Sequence, residues 1–181
     1  RTAYPDVALE IVPTDSVENL LLREADIAIR MIRPTQLDLV TRHIVDLPLV
    51  CCAHESYLNR RGRPEKLADL TGHDLIGLDR SDMIIAGARA MGLEVRRNDF
   101  VLRTDSQTLG WQLLTAGLGI GFAQENLVTN TPGMQALLPE IRIPPLEIWL
   151  TTHRELFTSR RIRAIYDALS EALSAHLRRG A

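Results

Sequence analysis

The sequence predicts an α/β protein made of two small lobes. Its first 31 residues and the stretch from Thr104 to Gln124 both alternate strand and helix patterns, which is typical of α/β units. Proline interrupts extended runs at Pro48 and at Pro144-Pro145. Because proline cannot donate a backbone hydrogen bond, it is not expected inside a central strand. Such interrupted runs are typical of a chain that passes from one lobe to another, and 181 residues suit two small lobes.

Composition indicates a globular protein without a general attraction to polyanions. Hydrophobic residues make up 45% and charged residues 24% of the chain, and the formal net charge is −2. These values favour neither nucleic acid nor an anionic membrane as a partner. Because we find no secretory signal and no apolar run long enough to span a bilayer, we expect a cytoplasmic protein. A trimmed secreted chain would have the same features.

The opening third predicts a strand–helix–strand unit. Val7–Val12 has the pattern of a strand, Val17–Leu22 that of a short amphipathic helix, and Ala25–Met31 that of a mostly buried strand. A helix between two strands predicts parallel pairing with a right-handed crossover.

Arg30 lies at the carboxyl end of this last predicted strand. In open α/β sheets ligands collect beside such strand ends, so Arg30 could clamp a carboxylate or sulfate. It could equally be a surface arginine that pairs with a nearby acid.

Further strands are predicted at Leu39–Val45 and Leu49–Ala53, on either side of Pro48. A helix from His54 to Arg61 should end at Gly62. The elements predicted next are a helix from Pro64 to Gly72, a strand at Asp74–Leu78, a helix from Ser81 to Met91 and a strand at Phe100–Arg103.

The stretch from Thr104 to Gln124 organises the chain. Asp105 or Ser106 is placed to cap a helix whose apolar side, with Leu109 and Leu114, should face a core. Gly117 should end that helix in a left-handed conformation, and Gly119–Ala123 should form a buried strand.

A helix start at a strand end is also a suitable place to bind an anion, because its free N–H groups and positive dipole end point outward. Asp105, Ser106 and Gln107 are therefore candidate ligand contacts. The negative charge of Asp105 argues partly against an anion, and the three residues could serve only as a cap.

The last quarter predicts a weak strand at Gly133–Leu138, a strand at Leu146–Thr152 and a long amphipathic helix from Ser159 onward. The apolar side of this helix comprises Ile162, Ile165, Tyr166, Leu169, Leu173 and Leu177.

No motif for catalysis, a metal or a cofactor is present. Cys51 and Cys52 should point to opposite faces of a strand, and Cys52 with His54 would supply only two metal ligands. The glycines from Gly117 to Gly121 are too closely spaced for a dinucleotide-binding loop and follow a helix instead of a strand. We therefore expect no enzyme activity, no metal and no cofactor.

Four segments, taken in order, resemble the effector-binding domain of LysR-type transcriptional regulators. They are Tyr4-Pro5-Asp6-Val7, Asp26–Arg30, the stretch from Ser56 to Asp74, and Ala116–Gly121. The resemblance covers nearly the whole chain and depends on the order and spacing of the segments.

The resemblance implies two Rossmann-like lobes of the type 2 periplasmic-binding-protein kind, joined by two crossing strands. The first lobe would comprise residues 1–46 plus 151–181, and the second residues 47–150. A small effector would bind in the cleft between them.

Position by position, the resemblance implies effector contacts at Arg30 and Met31 in the first lobe. In the second lobe it implies contacts at Asp105, Ser106, Gln107 and Phe122.

The implied partners are a small, anionic effector and a second copy of the chain, with Val17–Leu22 in the dimer interface. The family's winged helix-turn-helix and the first strand of its effector domain have no counterpart in this sequence. DNA would therefore be bound only through that N-terminal domain and not by this chain alone. A stand-alone solute-binding protein of the same fold is the alternative.

Overall fold

A computed structural model describes residues 3–14 and 25–178, and this part contains eight strands and five α-helices. The strands are β1 Ile27–Arg30, β2 Leu39–Leu47, β3 Leu49–His54, β4 Leu75–Gly77, β5 Phe100–Arg103, β6 Ile120–Gln124, β7 Met134–Leu137 and β8 Leu146–His153. The helices are α1 Glu55–Arg61, α2 Met83–Ala90, α3 Gln107–Thr115, α4 Glu125–Thr129 and α5 Arg160–Arg178. Short 3₁₀ turns lie at Leu67–Gly72, Arg97–Asp99 and Leu156–Thr158.

The strands form two separate sheets. The first has the order β1-β8-β2 and is antiparallel throughout. The second has the order β5-β4-β6-β3-β7, with parallel pairing of β4 to both β5 and β6 and antiparallel pairing of β3 to both β6 and β7. The chain passes from the first sheet to the second at Pro48, between β2 and β3, and returns before β8 begins at Leu146.

Helix α5 covers one face of the first sheet. Its buried Tyr166 packs with Ile148 and Leu150, and the Tyr166 hydroxyl donates to the Leu150 carbonyl at 2.9 Å. This bond satisfies the one polar group that Tyr166 brings into the core. The predicted amphipathic helix is confirmed, and no helix in the described residues is both long and apolar enough to cross a membrane.

The second sheet is covered on both faces. Along β3, the side chains of Cys51 and Ala53 enter one buried cluster, whereas that of Cys52 enters another. This alternation confirms that the adjacent cysteines point to opposite faces. Ile120 and Ala123 of β6 are divided between the same two clusters, as expected for a strand covered on both sides.

The predicted strand–helix–turn–strand organisation of Thr104–Gln124 is confirmed. Ser106 caps α3, and its hydroxyl accepts from the Leu109 N–H at 3.4 Å. Gly117 follows the helix with a φ of +69°, a conformation that glycine adopts readily. Arg60 of α1 donates to the Gly117 carbonyl at 2.9 Å and so ties α1 to this turn.

Three expectations for the rest of the chain are wrong, two in its first third and one at Pro64–Gly72. Residues 7–14 form no strand, and Leu9, Ile11 and Val12 are 54%, 85% and 67% exposed. A strand needs a neighbour for its backbone groups, and no described strand pairs with this segment. The predicted parallel unit is also wrong, since β1 pairs antiparallel with β8.

The third concerns the helix expected from Pro64 to Gly72, where the structure has only a 3₁₀ turn at Leu67–Gly72. The short helix α4, which follows β6 directly, was not predicted. The helix predicted at Val17–Leu22 lies outside the described residues.

We predict that Gly119→Ala destabilises the fold by about 1–3 kcal/mol. A Cβ at this position would overlap the Asp74 backbone carbonyl, which accepts from the Ile120 N–H at 2.9 Å beside the pairing of β4 with β6. Gly87→Ala is the matched control. Nothing lies within 4 Å of a Cβ at Gly87, inside α2, so this change should stabilise by about 0.5–1 kcal/mol. Urea unfolding measures both, and equal effects would contradict the argument.

Candidate functional site

Arg30 lies at the carboxyl end of β1 and is half-buried. Its Cα partner across the sheet is Trp149 of β8. Within residues 3–14 and 25–178, its guanidinium forms no hydrogen bond or ion pair. Burial lowers the pKa of Arg30 from its usual value, because it disfavours the charged form. The group nevertheless stays charged at neutral pH, so it is a partly desolvated cation without an anionic partner among the described residues.

Met31 follows directly after β1, and its side chain is 46% exposed. An exposed thioether beside a cation provides flexible apolar surface that adapts to different ligand shapes.

Arg30, Trp149 and His43 lie in one row across the first sheet. The sequence alone did not reveal this row. The rings of Trp149 and His43 meet edge to face, with centroids 5.0 Å apart. The His43 ring bonds to an Asp46 carboxylate oxygen at 2.7 Å, and the Trp149 N–H donates to Glu147 at 2.8 Å. The row depends on the pairing of three strands distant in sequence, so no local pattern could have revealed it.

Asp105 lies after β5, where it braces a loop of the second sheet. One carboxylate oxygen accepts from the backbone N–H groups of Asp79 and Arg80 at 3.1 and 3.0 Å. The other lies 3.5 Å from the Arg80 Nε. These contacts hold the loop between β4 and α2 in place, which favours a structural role for Asp105.

Ser106 and Gln107 form the start of α3. The Ser106 N–H donates to the Thr104 hydroxyl at 3.1 Å, so both the backbone and the side chain of Ser106 are used in capping. Gln107 is exposed. Leu109, which we expected in the core, is instead 44% exposed on the first turn, whereas Leu114 is buried as predicted.

Phe122 is half-buried in β6, opposite Cys51 of β3. It packs against the buried cluster that contains Ile120 and borders an apolar cavity of about 20 Å³. That volume holds little more than a water molecule, and the apolar lining offers water no partners. The surroundings of Phe122 therefore favour a role in packing.

The two cysteines are buried and unbonded. Burial raises the pKa of both thiols to about 12, and the neighbouring Cys52 and Glu140 add to the effect at Cys51. The reactive thiolate is therefore scarce at neutral pH. His54 accepts from the Ser56 N–H as the cap of α1, and no three His, Cys, Asp or Glu side chains in the described residues are grouped to hold a metal.

Comparison with known families decides the classification. The family model described as "LysR substrate binding domain" matches residues 1–174. The chain belongs to this family. The α/β architecture of the LysR substrate-binding domain is that of type 2 periplasmic binding proteins, as the sequence predicted.

Two curated relatives are transcriptional regulators. The HTH-type transcriptional activator AaeR of Escherichia coli (strain K12) is 25% identical over 175 residues, covering 93% of this chain and 56% of AaeR. The HTH-type transcriptional regulator CrgA of Neisseria meningitidis serogroup C (strain 8013) is 27% identical over 138 residues, covering 75% of this chain and 46% of CrgA. The LysR substrate-binding domain described here thus spans about half the length of these relatives.

Solved structures agree on the fold. The CrgA regulatory domain from Neisseria meningitidis has a TM-score of 0.84 at 25% identity, covering 95% of this chain and 87% of that one. The AmpR effector-binding domain from Citrobacter freundii has a TM-score of 0.74 at 15% identity, covering 95% and 86%. The AmpR similarity, at this low identity, shows the fold alone.

We predict that Asp105→Ala lowers the free energy of unfolding by about 1–3 kcal/mol, because two backbone N–H groups lose their acceptor. Arg80→Ala is the matched control. The Arg80 side chain is 89% exposed, so its ion pair should contribute at most about 0.5 kcal/mol. Urea unfolding of both variants tests the assignment. A larger loss in Arg80→Ala would show that the ion pair, and not the backbone contacts, holds the loop.

Proposed function

We propose that this chain is the ligand-sensing regulatory domain of a LysR-type transcriptional regulator, with a small, anionic effector bound between its two lobes. The observation that carries the proposal is the Arg30 guanidinium, half-buried at a strand end and without an anionic partner among the described residues. A desolvated cation is costly unless an anion accompanies it. A carboxylate on the effector would supply that anion through a charge-assisted pair of hydrogen bonds.

The proposal keeps the division into residues 1–46 plus 151–181 and residues 47–150. Two separate sheets with two passages between them support a division into two lobes, but the pairing of β8 with β2 from Leu146 onward favours a second lobe that ends before Leu146 instead of at residue 150. In this scheme, β2 and the first half of β8 are the crossing strands. They are paired with each other up to Asp46–Glu147 and Leu47–Leu146, directly beside the passage to the second lobe.

The second lobe would contribute the start of α3. The first N–H groups of a helix have no partner within the helix, and Ser106 satisfies that of Leu109. Gln107 is exposed at the same end and can add an amide contact. The helix dipole favours an anion there. The proposed set also includes Met31, Asp105 and Phe122. Asp105 would act by holding the loop between β4 and α2 in place, and Phe122 by packing against the buried cluster that contains Ile120.

Effector binding would act by closing the lobes and shifting the population of quaternary states, which requires unequal affinity for those states. DNA would be bound by an N-terminal domain, in keeping with relatives that are named HTH-type regulators and are about twice as long. A non-catalytic, cytoplasmic protein follows from this role. A stand-alone solute-binding protein is disfavoured, because the relatives reported above are transcriptional regulators.

We predict that at least one small carboxylate raises the melting temperature of the chain and that Arg30→Met removes most of this shift. Losing a charge-assisted contact should weaken binding by about 10- to 100-fold. A panel of acetate, succinate, citrate and benzoate, followed by thermal unfolding, provides the measurement. Arg89→Met, on the exposed side of α2, is the control and should keep the full shift. Equal shifts in the Arg30 and Arg89 variants would contradict the proposed site.

We also propose a homodimer, with Val17–Leu22 in the interface; that segment lies outside the described residues. Ile29 and Ile32, near the end of β1, are exposed and give this lobe apolar surface that a second copy could cover. Multi-angle light scattering should give about twice the 20.3 kDa chain mass. A single species at the monomer mass across a wide concentration range would rule the dimer out.

A further inference from the structure

We infer that the chain has a second ligand site, for a small, uncharged apolar molecule, between α2 and the second sheet. The site is separate from Arg30, which lies on the first sheet, so the inference goes beyond the proposed function. It rests on an apolar cavity and on the weak attachment of the helix that covers this cavity.

The cavity of about 20 Å³ described above lies between α2 and three neighbouring strands. Ile84 and Ala88 line it from α2, and Leu75, Phe100 and Ile120 line it from β4, β5 and β6. Every residue of the described chain that lines the cavity is hydrophobic. Water finds no hydrogen-bond partner in such a lining, whereas an apolar molecule has no polar group to desolvate on entry. The lining therefore selects for an uncharged apolar ligand.

Helix α2 is fastened at its two ends. Before the helix, the Asp105 carboxylate accepts from the backbone N–H groups of Asp79 and Arg80. After it, the Leu93 N–H donates to the Ala88 carbonyl at 2.9 Å. Between these two points, Ala88 is the one buried residue of α2. The middle of the helix is therefore held mainly by partly buried side chains above the cavity.

The local sequence also makes α2 a weak helix. The Asp82 side chain makes no capping hydrogen bond, and the Ser81 hydroxyl accepts from the Met83 N–H at 3.3 Å. Met83 is 64% exposed. Gly87 lies inside the helix, and within the described residues nothing lies within 4 Å of a Cβ built there. Because glycine lowers helix stability and an eight-residue helix depends on packing, α2 should open at lower cost than the strands beneath it.

Opening of α2 connects the cavity to solvent while both ends of the helix stay fixed. The closed cavity is smaller than a six-carbon ring, so a ligand of that size binds a conformation in which α2 has moved outward. Such a ligand stabilises the open conformation because only that conformation accommodates it. A carboxylate would find no counter-charge in the lining, so the anionic effector proposed above does not compete for this site.

Benzene and phenol are matched probes of this site, since they share a ring and differ by one hydroxyl group. Isothermal titration calorimetry of the whole chain should show benzene binding with a Kd of about 0.1–10 mM. Phenol should bind at least about tenfold more weakly, because its hydroxyl would be buried without a partner. Benzene binding should be unchanged in Arg30→Met.

Two variants change the cavity in opposite directions. Ile84→Ala removes three carbon atoms from the lining and should tighten benzene binding about three- to tenfold. Ala88→Leu fills the cavity and should weaken binding at least about tenfold. Ala90→Leu makes the same change at an exposed position of α2, and its affinity should stay within about twofold of the wild-type value. If Ala88→Leu does not fold, Ile84→Ala and Ala90→Leu still provide the comparison.

Three outcomes overturn the inference. The first is no benzene binding by the wild-type chain up to saturation, even if Ile84→Ala binds, because the substitution would then have created the site. The second is equal affinity for benzene and phenol. The third is benzene binding that the lining variants leave unchanged or that Arg30→Met abolishes, which would place benzene elsewhere. The response to carboxylates through Arg30 is tested separately, so the proposed function stands or falls independently of these results.

Discussion

The pairing of β8 with both β1 and β2 is the constraint on which the rest of the first sheet depends. β8 is the central strand: four of its residues, Trp149–Thr152, pair with β1, and all eight pair with β2 across a bulge between His43 and Val45. This pairing fixes the face to which Arg30 and Trp149 project, since a shift of one residue would move every side chain to the other face. It also joins the two strands that lead to the second sheet. The geometry of the proposed site and the path between the lobes therefore have the same origin.

Arg30 and Asp105 show two ways of treating a charge at a strand end. Asp105 receives two backbone N–H groups and a guanidinium, so its charge is satisfied within the protein. Arg30 receives no counter-charge from the described residues, although burial already disfavours its charged form. A protein that only needed stability could place an apolar residue at Arg30. A cation without a partner in the described part of the chain is typical of a site prepared for a ligand.

Sequence alone predicted the parts of this fold that local signals determine. The cap at Ser106, the glycine turn at Gly117 and the amphipathic α5 each follow from a few adjacent residues, and all three are confirmed. The strand expected at Val7–Val12 failed, because a strand pattern has meaning only with a neighbour to pair with. Trp149 was overlooked for a related reason. Its importance comes from a register that unites residues 30, 43 and 149, which are far apart in the chain.

The arrangement of the acids explains why the first sheet, and not the start of α3, would decide which ligand binds. At α3, the helix dipole favours an anion, yet Asp105 lies directly before the cap and opposes it. On the first sheet, Asp46 is bonded to His43 and Glu147 to the indole N–H of Trp149, and neither is paired with Arg30. We therefore propose that the affinity for the anion comes mainly from Arg30 and that Gln107, at the start of α3, contributes orientation.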